Sequence, residues 1–460
     1  MTGAQDRSQP TFRAELAEVI PRPHPASWTL LYQVVLGIGS CCFPDRADQS
    51  DSIALLARAN KLVHTHLLET STTTATQAFI LLGNLAQRLN RPNLGHIFLG
   101  VALRMALSLG LHREPSPTLS VFEQESRRRI YWTLLSFESG SVTTFGHPST
   151  LPAKEANVRP ISNVPDELLK PAATEMPGPV DGPTIYSSLQ QHARFHAFAA
   201  GIVEQTVGDP QAEDMLRLEA EVVTWRSTLP PYFFALDVPS WFEFARERLQ
   251  WRCEHLRMLA LRPAFLRVAH ESLLADGNIS PELESCWSHC LASAISTINS
   301  IKTYIDAVPK RTKIETFYTN IFLFSAVFVP LIALRTRPQH DGAFEWLLSV
   351  QSALSILEHF KFNPLAERCS QIITAVVAMS HSSLNPPPQT ASDVVAMKSW
   401  DPTPVATPSA GAHFFASTHM PIASGEEGLA FPTQLFPFLN DANAASNPSY
   451  VTAAASACHD

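Results

Sequence analysis

An all-α fold is predicted for most of this sequence, and three observations predict it. Glycine is scarce, at 18 of 460 residues, while proline is plentiful at 36. The prolines gather in patches, as connections between helices do. Apolar residues recur at helical spacing almost without a break from Trp28 to Met379. A balance of 45% hydrophobic and 17% charged residues fits a globular chain able to bury a large core.

Taken in order, residues 1–26 are polar and end in Pro21-Arg22-Pro23-His24-Pro25, which predicts an extended lead-in. Asp51-Ser52 precede a helix from Ile53 to about Glu69, and the Thr-rich stretch from Thr70 to Thr76 ends it. Phe79, Leu82, Leu85, Ala86 and Leu89 form one apolar stripe on the next helix. Asn90 to Asn93 break it. The following helix, Leu94 to Leu109, is apolar nearly all round (Ile97, Phe98, Val101, Ala102, Met105, Ala106), so it is expected to lie centrally, with Gly110 as a left-handed cap. The pair forms an αα-hairpin. Residues 160–183 carry six prolines and read as a surface excursion between two helical halves. The second half predicts helices over Leu216–Trp225, Phe242–Leu261, Leu283–Ile305, Tyr318–Leu334, Phe344–Phe360 and Leu365–Met379. The whole is expected to be a large multi-helix body of packed αα-hairpins over 27–380. Residues 381–460 turn to Pro, Ala, Ser and Thr with isolated aromatics, the composition of a disordered tail.

The formal net charge is −8. Beyond Ser383 there are six acids and one base, and no stretch is basic enough to serve as a nucleic-acid footprint. The seven cysteines are irregularly spaced, the reading expected for free thiols. The most apolar run, Ile321 to Leu334, falls short of the roughly 20 residues a membrane span needs.

The stretch from Gln77 reads QAFILLGNLAQRLNRPNLGHIFLGVALRMALSLGLHRE and is followed by EQESRRRIYWTLLSFESGSVTTFGHP and LPAKEANVRP. It resembles the fungal-specific transcription factor domain, the middle homology region of zinc binuclear-cluster regulators. The matching residues are Gly100, Gly110, Leu111, His112, Arg113, Arg127, Arg128, Arg129, Trp132, Glu138, Gly146 and Pro148. Trp225 to Pro230, the helix end Leu261-Arg262-Pro263, Cys290 to Ile295 and Tyr318 to Leu331 resemble later parts of the family, so the likeness runs over about 27–380. His147 and Ser139 stand where the family carries arginine, which removes two fixed guanidiniums. The six-cysteine zinc module that such regulators carry is not among these residues.

Each motif has a plain reading beside a functional one. Arg127-Arg128-Arg129 reads as a nuclear-import or phosphate-binding run. It reads more simply as a helix start preceded by Glu123 and Glu125, with the arginines pairing nearby carboxylates and packing their stems over Trp132. His192 and His196 share a helical face as a metal pair would, without a third ligand. Cys286, His289 and Cys290 read as core side chains. Gly37-Ile38-Gly39-Ser40 lacks the rest of a dinucleotide fingerprint, and no Walker loop, nucleophile elbow or His-Glu-x-x-His is present. No cofactor or metal is therefore expected, and cofactor-binding residues stay unassigned. In the tail, Phe414, Phe415, Phe431, Leu435, Phe436, Phe438 and Leu439 near acidic residues have the make-up of an activation segment, and equally that of a passive tail.

The resemblance implies a nuclear, non-enzymatic transcription regulator of metabolic genes, with secondary-metabolite clusters a candidate set. It would meet promoter DNA through a DNA-binding partner or the transcription machinery, unless a zinc cluster lies upstream, and would have no membrane partner. A small-molecule effector is a further expected partner. A helical scaffold without promoter function is the alternative.

Overall fold

The computed structural model describes residues 9–22, 24–43, 49–145, 156–171, 173–206, 208, 210–274, 279–308, 310–360 and 363–384. Among them it is all helix and connection, with no strand. Gly146, Pro148 and the tail aromatics from Phe414 to Leu439 lie outside the described residues.

The first helix, α1 (Gln9–Leu16), falls where an extended lead-in was expected. It is held because Trp28 donates its indole N–H to Glu15 at 2.9 Å and Arg22 lies over the Trp28 ring. Next come α2 (Pro25–Ser40), α3 (Ser50–Leu62) and α4 (Thr65–Glu69). The single helix expected over 53–69 is thus two, broken where Val63 and His64 are extended. Val, His and Thr in succession hold a helix weakly, and the break turns Leu67 into the core.

Helices α5 (Thr73–Arg88) and α6 (Pro92–Ser108) form the expected hairpin, but their roles are exchanged. Every residue of α5 from Thr74 to Arg88 is buried, including Gln77, Asn84, Gln87 and Arg88. On α6, by contrast, Ile97 is 60% exposed. The central helix is α5, whose polar residues disguise it in the sequence. The two backbones touch at Gly83 and Gly95. A Cβ on Gly83 would lie 2.9 Å from the Gly95 carbonyl oxygen, and one on Gly95 2.7 Å from that of Gly83. Gly100 of the family motif is half-buried with open space beside it. Thr72 caps α5 by accepting from Ala75 N–H. Asn90 (φ 60°) and Gly110 (φ 66°) end the two helices in left-handed turns. At each, crossed backbone bonds close the last turn: Arg91 to Ala86 and Asn90 to Gln87, then Leu111 to Ala106 and Gly110 to Leu107.

Helix α7 (Val121–Phe145) begins with a capping box between Ser120 and Glu123. The proline-rich segment after it is not a surface excursion. Ile161, Val164, Asp166 and Leu169 are buried in it, because polar side chains of α7 supply the hydrogen bonds its irregular backbone lacks.

The second half is α8 (Ser187–Gln205), α9 (Ala212–Ser227), α10 (Ser240–Glu271), α11 (Pro281–Ala307), α12 (Lys313–Thr336), α13 (Ala343–Glu358) and α14 (Pro364–Leu384). Pro263 does not end α10 as its motif suggests. The helix runs on to Glu271 because Ala264, Phe265, Val268 and Ala269 are all buried beyond it. Thr312 and Glu315 close a capping box on α12. This helix extends past the apolar run to 24 residues, long and apolar enough by composition to cross a membrane, yet 78% of its apolar stretch is buried. It packs against α10, α11 and α13 as the core of the second half. Helix α8 packs on both α7 and α10 and so joins the halves.

Candidate functional site

The arginine run is absorbed by structure. Arg129 donates to Glu125, to Asp166 at 2.9 Å and to the Val164 carbonyl, and its guanidinium lies 3.5 Å from the centre of the Tyr186 ring. Tyr186 closes the cluster by donating to Asp166 at 2.6 Å. Arg128 pairs with Glu114 and Glu125. Glu114 also binds Arg159. Burial alone would raise the Glu114 carboxyl, but these two guanidiniums and the Arg159 N–H bring it down to about 2. Arg127 caps the α6 end through the Leu109 carbonyl at 2.6 Å. Of the two acids that precede the run, Glu125 pairs with it and Glu123 caps its own helix. Trp132 donates its indole N–H to the Arg159 carbonyl. Leu111 and Glu138 are buried, His112 is partly buried and Arg113 is exposed. These residues staple residues 156–186 to α7. They do not enclose a site.

A cavity of about 330 Å³ does lie at the seam of the two halves. Helix α7 contributes Thr133, Ser136 and Phe137. Ser188, Leu189 and His192 come from α8. Across from them stand Phe242, Phe244, Arg248 and Arg252 of α10, with Glu315 and Tyr318 of α12; half-exposed Trp241 lies at its edge. The polar residues stand one helical turn apart, which aims each pair at one side: Ser188 and His192, Arg248 and Arg252.

Charge in this place is unusually one-sided. Arg248 donates to Ser188 Oγ at 3.2 Å and lies over the Tyr318 ring at 4.9 Å. Arg252 donates to His196 Nε2 at 2.7 Å. Behind Tyr318, the buried guanidinium of Arg88 sits 5.7 Å from the ring centre, and none of its three nitrogens has a hydrogen-bond partner among the described residues. Burial pushes Arg252 down to about 10, with Arg248 beside it acting the same way. Arg248 is lowered by burial too. Burial would raise Tyr318, but the three guanidiniums and a hydrogen bond from Asn84 bring the phenol down to about 8. Glu315 is the carboxylate that lines the cavity, and it is committed elsewhere, to the Thr312 N–H and the Tyr304 hydroxyl.

His192 and His196 hold no metal arrangement: among the described residues no group of three ligating side chains converges. Burial keeps both imidazoles neutral, well below the ordinary histidine range, helped by Arg248 and Arg252. Cys286 and Cys290 are buried, with Cys286 against the Ala212 carbonyl, while His289 is half exposed and faces Glu219. Sequence reasoning missed Arg88, Arg248, Arg252 and Tyr318. One signal was present: Arg248 and Arg252 are spaced i, i+4 with no acid three or four residues from either, an arrangement that helices disfavour.

Residues 10–195 match the family described as fungal specific transcription factor domain. The lactose regulatory protein LAC9 of Kluyveromyces lactis is 25% identical over 404 residues, 83% of this chain and 43% of that protein. Transcription factor lepE of Aspergillus flavus is 28% identical over 46% of this chain and 27% of its own length. The pyriculol/pyriculariol biosynthesis cluster transcription factor 1 of Pyricularia oryzae is 35% identical over 27% of this chain and 17% of its own. The chain thus spans less than half of each of these relatives. The match ends inside α8, so the seam cavity is walled partly by the matched segment and partly by the helices that follow it.

Proposed function

We propose that this protein, residues 10–195 of which match the fungal specific transcription factor domain, is a nuclear, non-enzymatic regulator of metabolic genes whose helical body senses a small effector. The observation that carries the reading is the seam cavity. A ligand there touches α7 and α8 on one side and α10 and α12 on the other, so its binding energy depends on how the halves sit together. Relatives that include a lactose regulatory protein and a biosynthesis cluster transcription factor support metabolic genes, secondary-metabolite clusters among them, as targets.

Catalysis finds no support in the same cavity. Ser188 and His192 are neighbours, but His192 Nδ1 lies 2.8 Å from the Ser188 carbonyl oxygen and must donate its proton there. That nitrogen has no lone pair left to activate the Ser188 hydroxyl. The neutral histidines, the one-sided arginines and the capped Glu315 provide no acid and base in matched positions.

Promoter contact is assigned to a DNA-binding module outside these residues, on a partner or on the same polypeptide. The helical body over 27–380 acts as the regulatory domain and the aromatic tail as the activation segment. The test is a reporter assay on the whole chain fused to a heterologous DNA-binding domain. Reporter output is expected to change, and removal of residues 413–460 is expected to abolish activation. No change from the intact fusion would point to a scaffold without promoter function.

A further inference from the structure

We propose that the seam cavity binds a small organic anion, a carboxylate or phosphate ester with an apolar body, gripped by Arg248 and Arg252. The inference deepens the regulatory reading above and rests on it for its biological meaning, though not for its chemistry.

Two independent observations lead to it. The first is charge without a counterion. Two guanidiniums line the cavity and a third lies behind Tyr318, and among the described residues no carboxylate forms an ion pair with any of the three. A buried cation is ordinarily paired, because removing charge from water is costly. Elsewhere in this protein that rule holds: Arg128, Arg129 and Arg257 each have carboxylate partners. The cavity arginines depart from the pattern set by their own neighbours, and the departure coincides with open space.

The second is a set of idle polar atoms. Thr133 Oγ1, Ser136 Oγ, His192 Nε2, Arg248 Nε and Arg252 Nε are buried without a hydrogen-bond partner among the described residues, and all five belong to residues that line the cavity. A helical Ser or Thr ordinarily returns its hydroxyl to the carbonyl four residues back, as Thr76 and Thr297 do here. Thr133 and Ser136 do not, and unlike Ser293, Thr316 and Thr319, whose hydroxyls are also unpartnered among the described residues, they line the cavity. Buried polar atoms are rarely left unsatisfied. Anionic oxygens of a guest would accept from the two hydroxyls and the two arginine N–H groups, while His192 Nε2, an acceptor in the neutral ring, would be met only by a donor on the guest such as a hydroxyl.

The remaining lining, Phe137, Leu189, Phe242 and Phe244, is apolar and suits a hydrocarbon or aromatic body. The volume of about 330 Å³ sits at the small end of ligand pockets, which limits the guest to a small metabolite. Arginine rather than lysine matches a planar carboxylate or a phosphate through two parallel hydrogen bonds.

The test uses the full chain and three probes of defined chemistry: hexanoate, phenyl phosphate and neutral hexanamide, with sodium chloride at matched ionic strength. Thermal unfolding and titration calorimetry read binding to wild type, Arg248→Gln and Arg88→Met. At least one anion is expected to raise the melting temperature above the chloride control while hexanamide does not, and the better of the two anions tells carboxylate from phosphate. Arg248→Gln should weaken that anion at least tenfold. Both variants should melt at or above the wild-type temperature without ligand, because each removes an unpaired cation; a merely structural arginine would melt lower. Equal stabilisation by hexanamide, or no stabilisation by either anion in folded wild type, overturns the proposal. Anion binding with unchanged reporter output from Arg248→Gln would uphold the anion site and overturn the regulatory reading. Normal reporter output with no anion binding would do the reverse.

Discussion

Arg252 and His196 are joined through the 2.7 Å contact of Nη1 with Nε2, which makes the imidazole the acceptor. A guanidinium cannot accept a proton, so His196 must keep that nitrogen unprotonated. The i, i+4 histidine pair therefore belongs to an arginine-rich seam, and its lone pair is already used.

A pH dependence follows. His192, His196 and His255 all have folded values below the ordinary 6.5, driven first by burial and then by neighbouring arginines, with His255 reaching about 3. The unfolded chain thus binds protons below pH 6.5 that the folded chain refuses. The histidine contribution to stability is complete well above that value and declines as pH falls, by about 1 kcal/mol per histidine over the first unit or so. Melting curves from pH 7.5 to 5.5 should show the decline, and His192→Gln with His196→Gln should reduce it to the share that His255 contributes.

Tyr318 offers a spectroscopic view of the same field. A phenol lowered to about 8 by Arg88, Arg248 and Arg252 should ionise two units before ordinary tyrosines. Absorbance at the tyrosinate band should show one early step, absent in Tyr318→Phe. Because the folded value is depressed, folding stability should rise between about pH 8 and 10. An anion held by the arginines should move the step upward.

The Arg129 cluster tests the structural reading of the arginine run. Arg129→Met leaves the buried carboxylates of Glu125 and Asp166 without this guanidinium, and about 3–5 kcal/mol of stability should be lost. Arg127→Ala should cost about 1 kcal/mol, the ordinary loss of one hydrogen bond. Urea denaturation measures both, and equal effects would contradict the assignment.

Gly95 and Gly100 should respond oppositely to alanine. A Cβ on Gly95 meets backbone of α5, so the hairpin must part, at a cost of about 1–3 kcal/mol. Gly100 has open space in mid-helix, and alanine there should stabilise by up to about 1 kcal/mol. Unfolding titrations of the two variants decide the matter.

The helices were legible because long apolar periodicity, caps and breakers agree: Gly110, Asn90 and the Thr312–Glu315 box all act locally. What escaped depends on distant partners. Gln77, Asn84 and Arg88 look like a wet face until α2, α6 and α7 close over α5. The prolines of 160–183 look like a loop until Arg129 and Glu125 bond to that backbone. Arg248 and Arg252 carried a local hint in their missing acids, but their meaning needed Arg88 and Tyr318, 160 and 70 residues away from Arg248 in sequence. The family motif pointed to the staple on α7, whereas the cavity lies beside it.

Transcript profiling reads the central claim most directly, comparing cells that make the wild-type chain, the Arg248→Gln chain at equal abundance, or neither. The account expects a coherent set of metabolic genes to differ between the first and the last. It also expects Arg248→Gln to alter the same set. Indistinguishable profiles with and without the chain would contradict it.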